Sequence, residues 1–145
     1  MLKEKLSEDL KIAMKEKLDI NKETIRLVLS AIQKLEKDTG RELNDEQVLT
    51  VLMKEKKSRE DALELFRQAE RSDKVSETLA ELEVLFKYLP KQLTTEELDD
   101  AIKTVISNVA EEDRVNFGVL IKTVKEKIGN QADGKAIADS IRRCM

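Results

Sequence analysis

One proline interrupts an otherwise continuous helical pattern. Pro90 is the only proline in 145 residues and lies in the stretch Lys87-Tyr88-Leu89-Pro90-Lys91-Gln92-Leu93. Proline has no backbone N–H and drives the preceding residue out of helical angles, so a helix approaching Leu89 must end there. Four residues later Thr94 stands three positions before Glu97. That spacing is a capping box, in which the two side chains satisfy N–H groups left without partners in a helix's first turn. A helix thus ends on one side of Pro90 and a freshly capped one begins on the other. The pattern predicts a domain boundary, with an N-terminal helical domain over residues 1–90 and a smaller domain over 91–145.

Little but helix is open to the segments on either side. Glycine occurs 4 times, aromatics make up 3% and charged residues 39%, a mix of good helix formers poor in strand formers. The fold class predicted is all-α, with about four helices in an N-terminal bundle and three after Pro90. Leu2, Leu6, Leu10, Ala13 and Met14 mark the buried face of the first helix, and Ile25, Val28, Leu29, Ile32 and Leu35 that of the second. Asn21 is the expected cap of the second helix and Gly40 its terminator. Asn44, with Gln47 three residues on, is expected to cap the third, over about 45–71. Val75, Leu79, Leu82, Phe86 and Leu89 give the fourth a stripe suited to bundle packing.

The third helix contains an anomaly. Eight consecutive polar residues, 54–61, separate the apolar positions Val48, Leu49 and Leu52 from Ala62, Leu63, Phe66 and Ala69. About two turns without an apolar residue leave no face to bury, so this stretch is expected to project from the body or bridge between subdomains. Pairs such as Glu55 with Arg59 would lace it in solvent. Lys56, Lys57 and Arg59 are its candidate partner-binding residues.

Charge is distributed unevenly about an overall −3. Residues 91–113 hold two basic and seven acidic side chains, whereas 114–145 hold seven basic and three acidic. In the basic segment Phe117, Leu120, Ile121, Val124 and Ile128 are expected to point inward, with Lys122 and Lys125 outward, up to a stop at Gly129. A last helix capped by Asp133 places Ile137, Ile141 and Cys144 on one face and Lys135, Asp139 and Arg142 on the other. Lys135 and Asp139 have the spacing of an ordinary helical ion pair. Lys122, Lys125, Lys135, Arg142 and Arg143 are the candidate nucleic-acid contacts, because cations on adjacent helices supply sequence-independent affinity for phosphates.

The same residues argue against independent catalysis. There is no histidine, hence neither the commonest general base nor a histidine triad. The single cysteine, Cys144, cannot form an internal disulfide or a zinc site alone, and is expected to fray at the chain end. No Gly-rich phosphate loop occurs, and Glu111-Glu112-Asp113 reads as a solvated loop rather than a cation site. No catalytic residue, cofactor or metal is therefore expected. No apolar run suits a membrane or a secretory leader, so the expected compartment is the cytoplasm.

Two sets of residues also carry a family resemblance. Arg59-Glu60-Asp61 with Phe66, Ala69 and Arg71, then Glu81-Leu82 leading into Tyr88-Leu89-Pro90-Lys91-Gln92-Leu93, forms the first. Phe117-Gly118-Val119-Leu120 followed by Gly129-Asn130-Gln131-Ala132-Asp133-Gly134 forms the second. Together they resemble the YqeY-like family of small bacterial cytosolic proteins. The second half is similar to the tail domain of the B subunit of tRNA-dependent amidotransferases. The resemblance implies an all-α fold in two parts and a tRNA-linked or RNA-linked binding role. A label of carbon–nitrogen ligase activity with glutamine as amido donor attaches only through the shared domain. The alternative reading of the residues is a protein–protein adaptor.

Overall fold

In the computed structural model, which describes residues 1–145, every regular element is helical: α1 (Leu2–Lys15), α2 (Asp19–Thr39), α3 (Asp45–Gln68), α4 (Ser72–Phe86), α5 (Thr95–Asn108), α6 (Phe117–Ile128) and α7 (Gly134–Cys144). Single 3₁₀ turns occupy Glu111–Asp113 and Gly129–Gln131. The chain divides into two compact units, Met1–Leu89 and Pro90–Met145.

Local chemistry sets the helix ends of the first unit. Gly40 terminates α2 at φ +70°, a left-handed angle that glycine adopts without steric penalty, and its N–H bonds to the Glu36 carbonyl. Asn44 and Gln47 form the capping box of α3, with both bonds at 2.9 Å. Asn21, by contrast, does not cap α2: the helix already begins at Asp19, which leaves Asn21 inside its first turn. Between these helices Glu36 accepts from Lys3 Nζ at 2.8 Å and from the Leu43 N–H at 3.0 Å. The Lys3 ammonium, then the Leu43 N–H, holds its carboxyl below the usual range.

The core of this unit contains Leu6, Val28, Ile32, Val48, Leu52 and Leu85. Three expectations about its faces need correction. Residues 54–61 do bury a face, since Lys56 and Arg59 are only 7% and 8% exposed. Their aliphatic stems continue the stripe that runs from Met53 to Leu63, and their charged heads meet carboxylates at its edge. On α4 the inward residues are Thr78, Leu82, Val84 and Leu85, while Leu79 and Phe86 are exposed. Both registers obey helical spacing and share Val75, Leu82 and Leu89, so periodicity alone could not separate them. Met14 and Leu35 likewise lie on the solvent side of α1 and α2. Helix α3 ends at Gln68, and Glu70 takes a positive φ before α4 starts.

In the second unit Leu98 and Ile102 of α5 pack with Leu120, Val124 and Ile128 of α6 and with Ile137 and Ile141 of α7. The capping box at the head of α5 is closed by bonds of 3.0 and 3.2 Å between Thr94 and Glu97. Just before it, the Leu93 N–H donates to the Gln131 carbonyl, and Gln92 Nε2 donates to the carbonyls of Pro90 and Asn130. This segment is thereby tied to the turn between α6 and α7. Arg114 closes the other end of α5 by donating to the carbonyls of Val109 and Ser107. Asn116 and Asp133 cap α6 and α7. Cys144 is not a frayed end: it belongs to α7, packs against the core and directs its thiol at the Asp99 carbonyl.

Candidate nucleic-acid interface

Helices α6 and α7 run antiparallel, and cations mark both ends of their seam. At one end the Arg142 guanidinium, near the end of α7, stacks 4.9 Å from the ring centre of Phe117, the first residue of α6. At the other end Lys125 Nζ stands 4.0 Å from where a Cβ on Gly134 would lie. Gly134 is the first residue of α7, so the ammonium lies beside the first turn of that helix. Lys135 follows immediately in the same turn. A helix start carries partial positive charge, so Lys125, Lys135 and this terminus add their potentials, partly offset by the capping Asp133. Lys122 lies one turn before Lys125 on the same exposed side of α6.

All five candidate cations are exposed, but they are not electrostatically equal. Arg143 Nη2 bonds to Asp99 Oδ1 on α5 at 2.7 Å, and the Ser140 hydroxyl also donates to that carboxylate. Arg143 and then Ser140 hold the Asp99 carboxyl below its ordinary range. Arg143 therefore ties α7 to α5 and offers little net charge. Arg142 pairs with Asp139 at 3.3 Å, displacing the expected partnership of Asp139 with Lys135. Lys122, Lys125 and Lys135 are left as the unneutralised members of the set.

The other candidate trio, Lys56, Lys57 and Arg59, does not form one patch. Lys56 is buried with Nζ 3.6 Å from Glu60. Lys57 points outward, 3.9 Å from Asp61. Arg59 lies beneath Glu55 and Glu81, its Nη1 only 2.6 Å from Glu55 Oε2. Sequence reasoning missed this inward arginine. Its signal was the long aliphatic stems at positions 56 and 59, set at helical spacing from Met53 and Leu63. No three His, Cys, Asp or Glu side chains are grouped to hold a metal ion, and no helix is long and apolar enough to cross a membrane.

Comparison with known proteins places this geometry in context. Residues 3–145 match the family model described as Yqey-like protein. Two fungal proteins named altered inheritance of mitochondria protein 41, mitochondrial, are similar over most of their length. The one from Lachancea thermotolerans is 32% identical over 142 residues, covering 94% of this chain and 75% of that protein. The one from Pyrenophora tritici-repentis is 27% identical over 143 residues, covering 97% of this chain and 79% of that protein.

Proposed function

The chain belongs to the Yqey-like protein family, and from that premise we propose that it is a non-catalytic binding protein whose C-terminal helices contact the phosphate backbone of tRNA. In this reading four N-terminal helices form one domain and three C-terminal helices another, both in the cytoplasm. The observation that carries the proposal is the pair of unneutralised ammonium groups, Lys125 and Lys135, at the first turn of α7, with Lys122 one turn away. Helix starts and lysines both favour phosphate, the first through backbone N–H groups and the second through charge. We take tRNA among phosphate-bearing partners because the residues from Phe117 to Leu120 and from Gly129 to Gly134 resemble the amidotransferase tail domain. Stacking contributes little, because aromatics are only 3% of the chain, so recognition rests on backbone shape.

Titration of labelled tRNA against wild type and a Lys125→Glu, Lys135→Glu double variant tests this at several salt concentrations. Wild type should bind weakly, with affinity falling steeply as salt rises. The double variant should bind more weakly, with a log–log salt slope reduced by roughly 0.7 to 0.9 for each phosphate that is no longer neutralised. Equal affinities would remove these lysines from the interface. Absence of binding by folded wild type at low salt would turn the reading toward a protein adaptor.

A further inference from the structure

The Arg142 guanidinium is held in one orientation from two directions. One of its faces lies 4.9 Å from the centre of the Phe117 ring, and its Nη1 donates to Asp139 Oδ1 at 3.3 Å. The side chain is nevertheless 64% exposed. With a ring on one face and a carboxylate on one edge, that exposure leaves the second face of the plane to solvent. Asp139 offsets the charge, so Arg142 presents an oriented plane rather than an unpaired cation.

Its position relative to the lysines gives the plane a use. Each of the two antiparallel helices sets a cation at the other's start: Lys125 of α6 beside Gly134, and Arg142 of α7 over Phe117. Phe117 and Lys125 lie about 12 Å apart along α6. A strand with phosphates on Lys125 and Lys135 would therefore reach Arg142 within a few nucleotides. Gly118, exposed and next to Phe117, raises no side chain there, and Val115 adds an apolar surface 80% exposed just before the helix. Guanidinium planes, like aromatic rings, are surfaces on which proteins stack nucleic-acid bases. Bases inside a duplex have both faces covered by their neighbours, so only a nucleotide outside a paired stem fits such a plane.

We propose that Arg142 is the platform for one unpaired base of the bound RNA. The base lies on the open face of the guanidinium, with Phe117 behind it, while phosphates of the same strand meet Lys125 and Lys135. Every base has a π-face, so this contact detects an unstacked nucleotide without reading which base it carries. The platform presupposes the phosphate contacts proposed above and adds one stacked base to a contact otherwise made with the backbone.

Anisotropy titrations at low salt with three labelled RNAs test it: tRNA, a short hairpin, and the same hairpin with an abasic loop, which keeps the phosphates and removes the bases. Wild type should bind the hairpin at least about fivefold more tightly than its abasic form. Arg142→Lys keeps the charge and removes the plane. At this exposed position the variant should stay folded, as circular dichroism would confirm. It should bind both hairpins equally, at the abasic affinity and with the salt slope of wild type. Lys125→Glu with Lys135→Glu should instead weaken all three RNAs and leave the preference for the intact loop in place. If wild type fails to bind tRNA, the phosphate contacts fail and the platform falls with them. If tRNA binds but the two hairpins bind equally or not at all, or Arg142→Lys keeps the preference, the phosphate contacts stand. The platform alone is then overturned, and Arg142 is left as a surface residue that covers Phe117.

Discussion

The Tyr88 hydroxyl donates to Asp9 Oδ2 across 2.5 Å, joining residues 79 positions apart. Tyr88 follows the end of α4 and precedes Pro90 by two positions, so the bond fastens the close of the first unit to the middle of α1. Lys5, one turn before Asp9, places its ammonium 5.6 Å from the centre of the same ring. The Tyr-Leu-Pro stretch thus both stops a helix and anchors it.

Burial, and then the bond to Asp9, push the Tyr88 hydroxyl well above the ordinary tyrosine range. The sign follows directly, because a raised folded-state value means that the neutral form is favoured by folding. The resulting stability is fully present below the unfolded value of about 10 and is lost as pH rises through the folded value. Since the chain has one tyrosine, its ultraviolet absorbance reports this residue alone. Tyrosinate absorbance should stay low through about pH 10 and rise only at higher pH, together with loss of helical circular dichroism. Tyr88→Phe should be less stable near neutrality by about 1 kcal/mol and show a flatter alkaline limb. Ionisation near pH 10 in a fully helical protein would contradict the account.

Features fixed by neighbours in sequence were legible before the structure. Gly40, Asn44 with Gln47, Thr94 with Glu97, and Asp133 each act within one helical turn, and each is found at the helix end where its chemistry belongs. Faces chosen by tertiary packing were less legible. Leu85 and Phe86 are adjacent apolar residues, and which of them turns inward depends on where the other helices lie. The polar run at 54–61 misled for a related reason, because a hydropathy pattern counts the charged ends of Lys56 and Arg59 and ignores the methylenes that do the packing. At the basic surface, the exposure of Lys122, Lys125, Lys135 and Arg142 could be read from helical spacing. Neutralisation of Arg143 could not, since its partner Asp99 lies 44 positions away.

The inward course of residues 54–61 separates two neighbouring lysines experimentally. Lys56 has a buried stem, whereas the side chain of Lys57 is 42% exposed. Lys56→Glu should destabilise by about 2 kcal/mol, because it shortens the packed stem and sets a carboxylate beside Glu60. Lys57→Glu should fall within about 0.5 kcal/mol of wild type. Urea unfolding followed by circular dichroism measures both, and equal effects would return this stretch to solvent.

Thr94 tests the cap that restarts the chain. Its hydroxyl accepts from the Glu97 N–H while Glu97 accepts from the Thr94 N–H. The backbone and side-chain bonds to Thr94 lower the Glu97 carboxyl below its usual range, with Lys91 contributing less. Thr94→Ala should cost about 1 kcal/mol, and Thr94→Ser should restore most of it. A urea midpoint unchanged in the alanine variant would show that α5 draws its start from packing alone.

The last prediction concerns the autonomy of Pro90–Met145. This segment holds its own buried set, including Leu98, Ile102, Leu120, Val124, Ile137 and Ile141. Its three helices are each capped by a side chain from within the segment: Thr94, Asn116 and Asp133. The bonds of Gln92 and Leu93 to Asn130 and Gln131 also lie wholly inside it. Chains near 60 residues bury only about 60% of the surface that their unfolded forms expose, so stability should be modest. A fragment of residues 90–145 should therefore be helical and melt cooperatively, at a lower temperature than the intact chain. Leu120 is fully buried, and Leu120→Ala, expected to cost about 2 to 5 kcal/mol, should leave the fragment unfolded at room temperature. The same substitution in the intact chain should lower the stability of this unit while leaving the Tyr88 absorbance transition in place. A fragment that is a random coil while the full chain is folded would show that the second unit depends on the first.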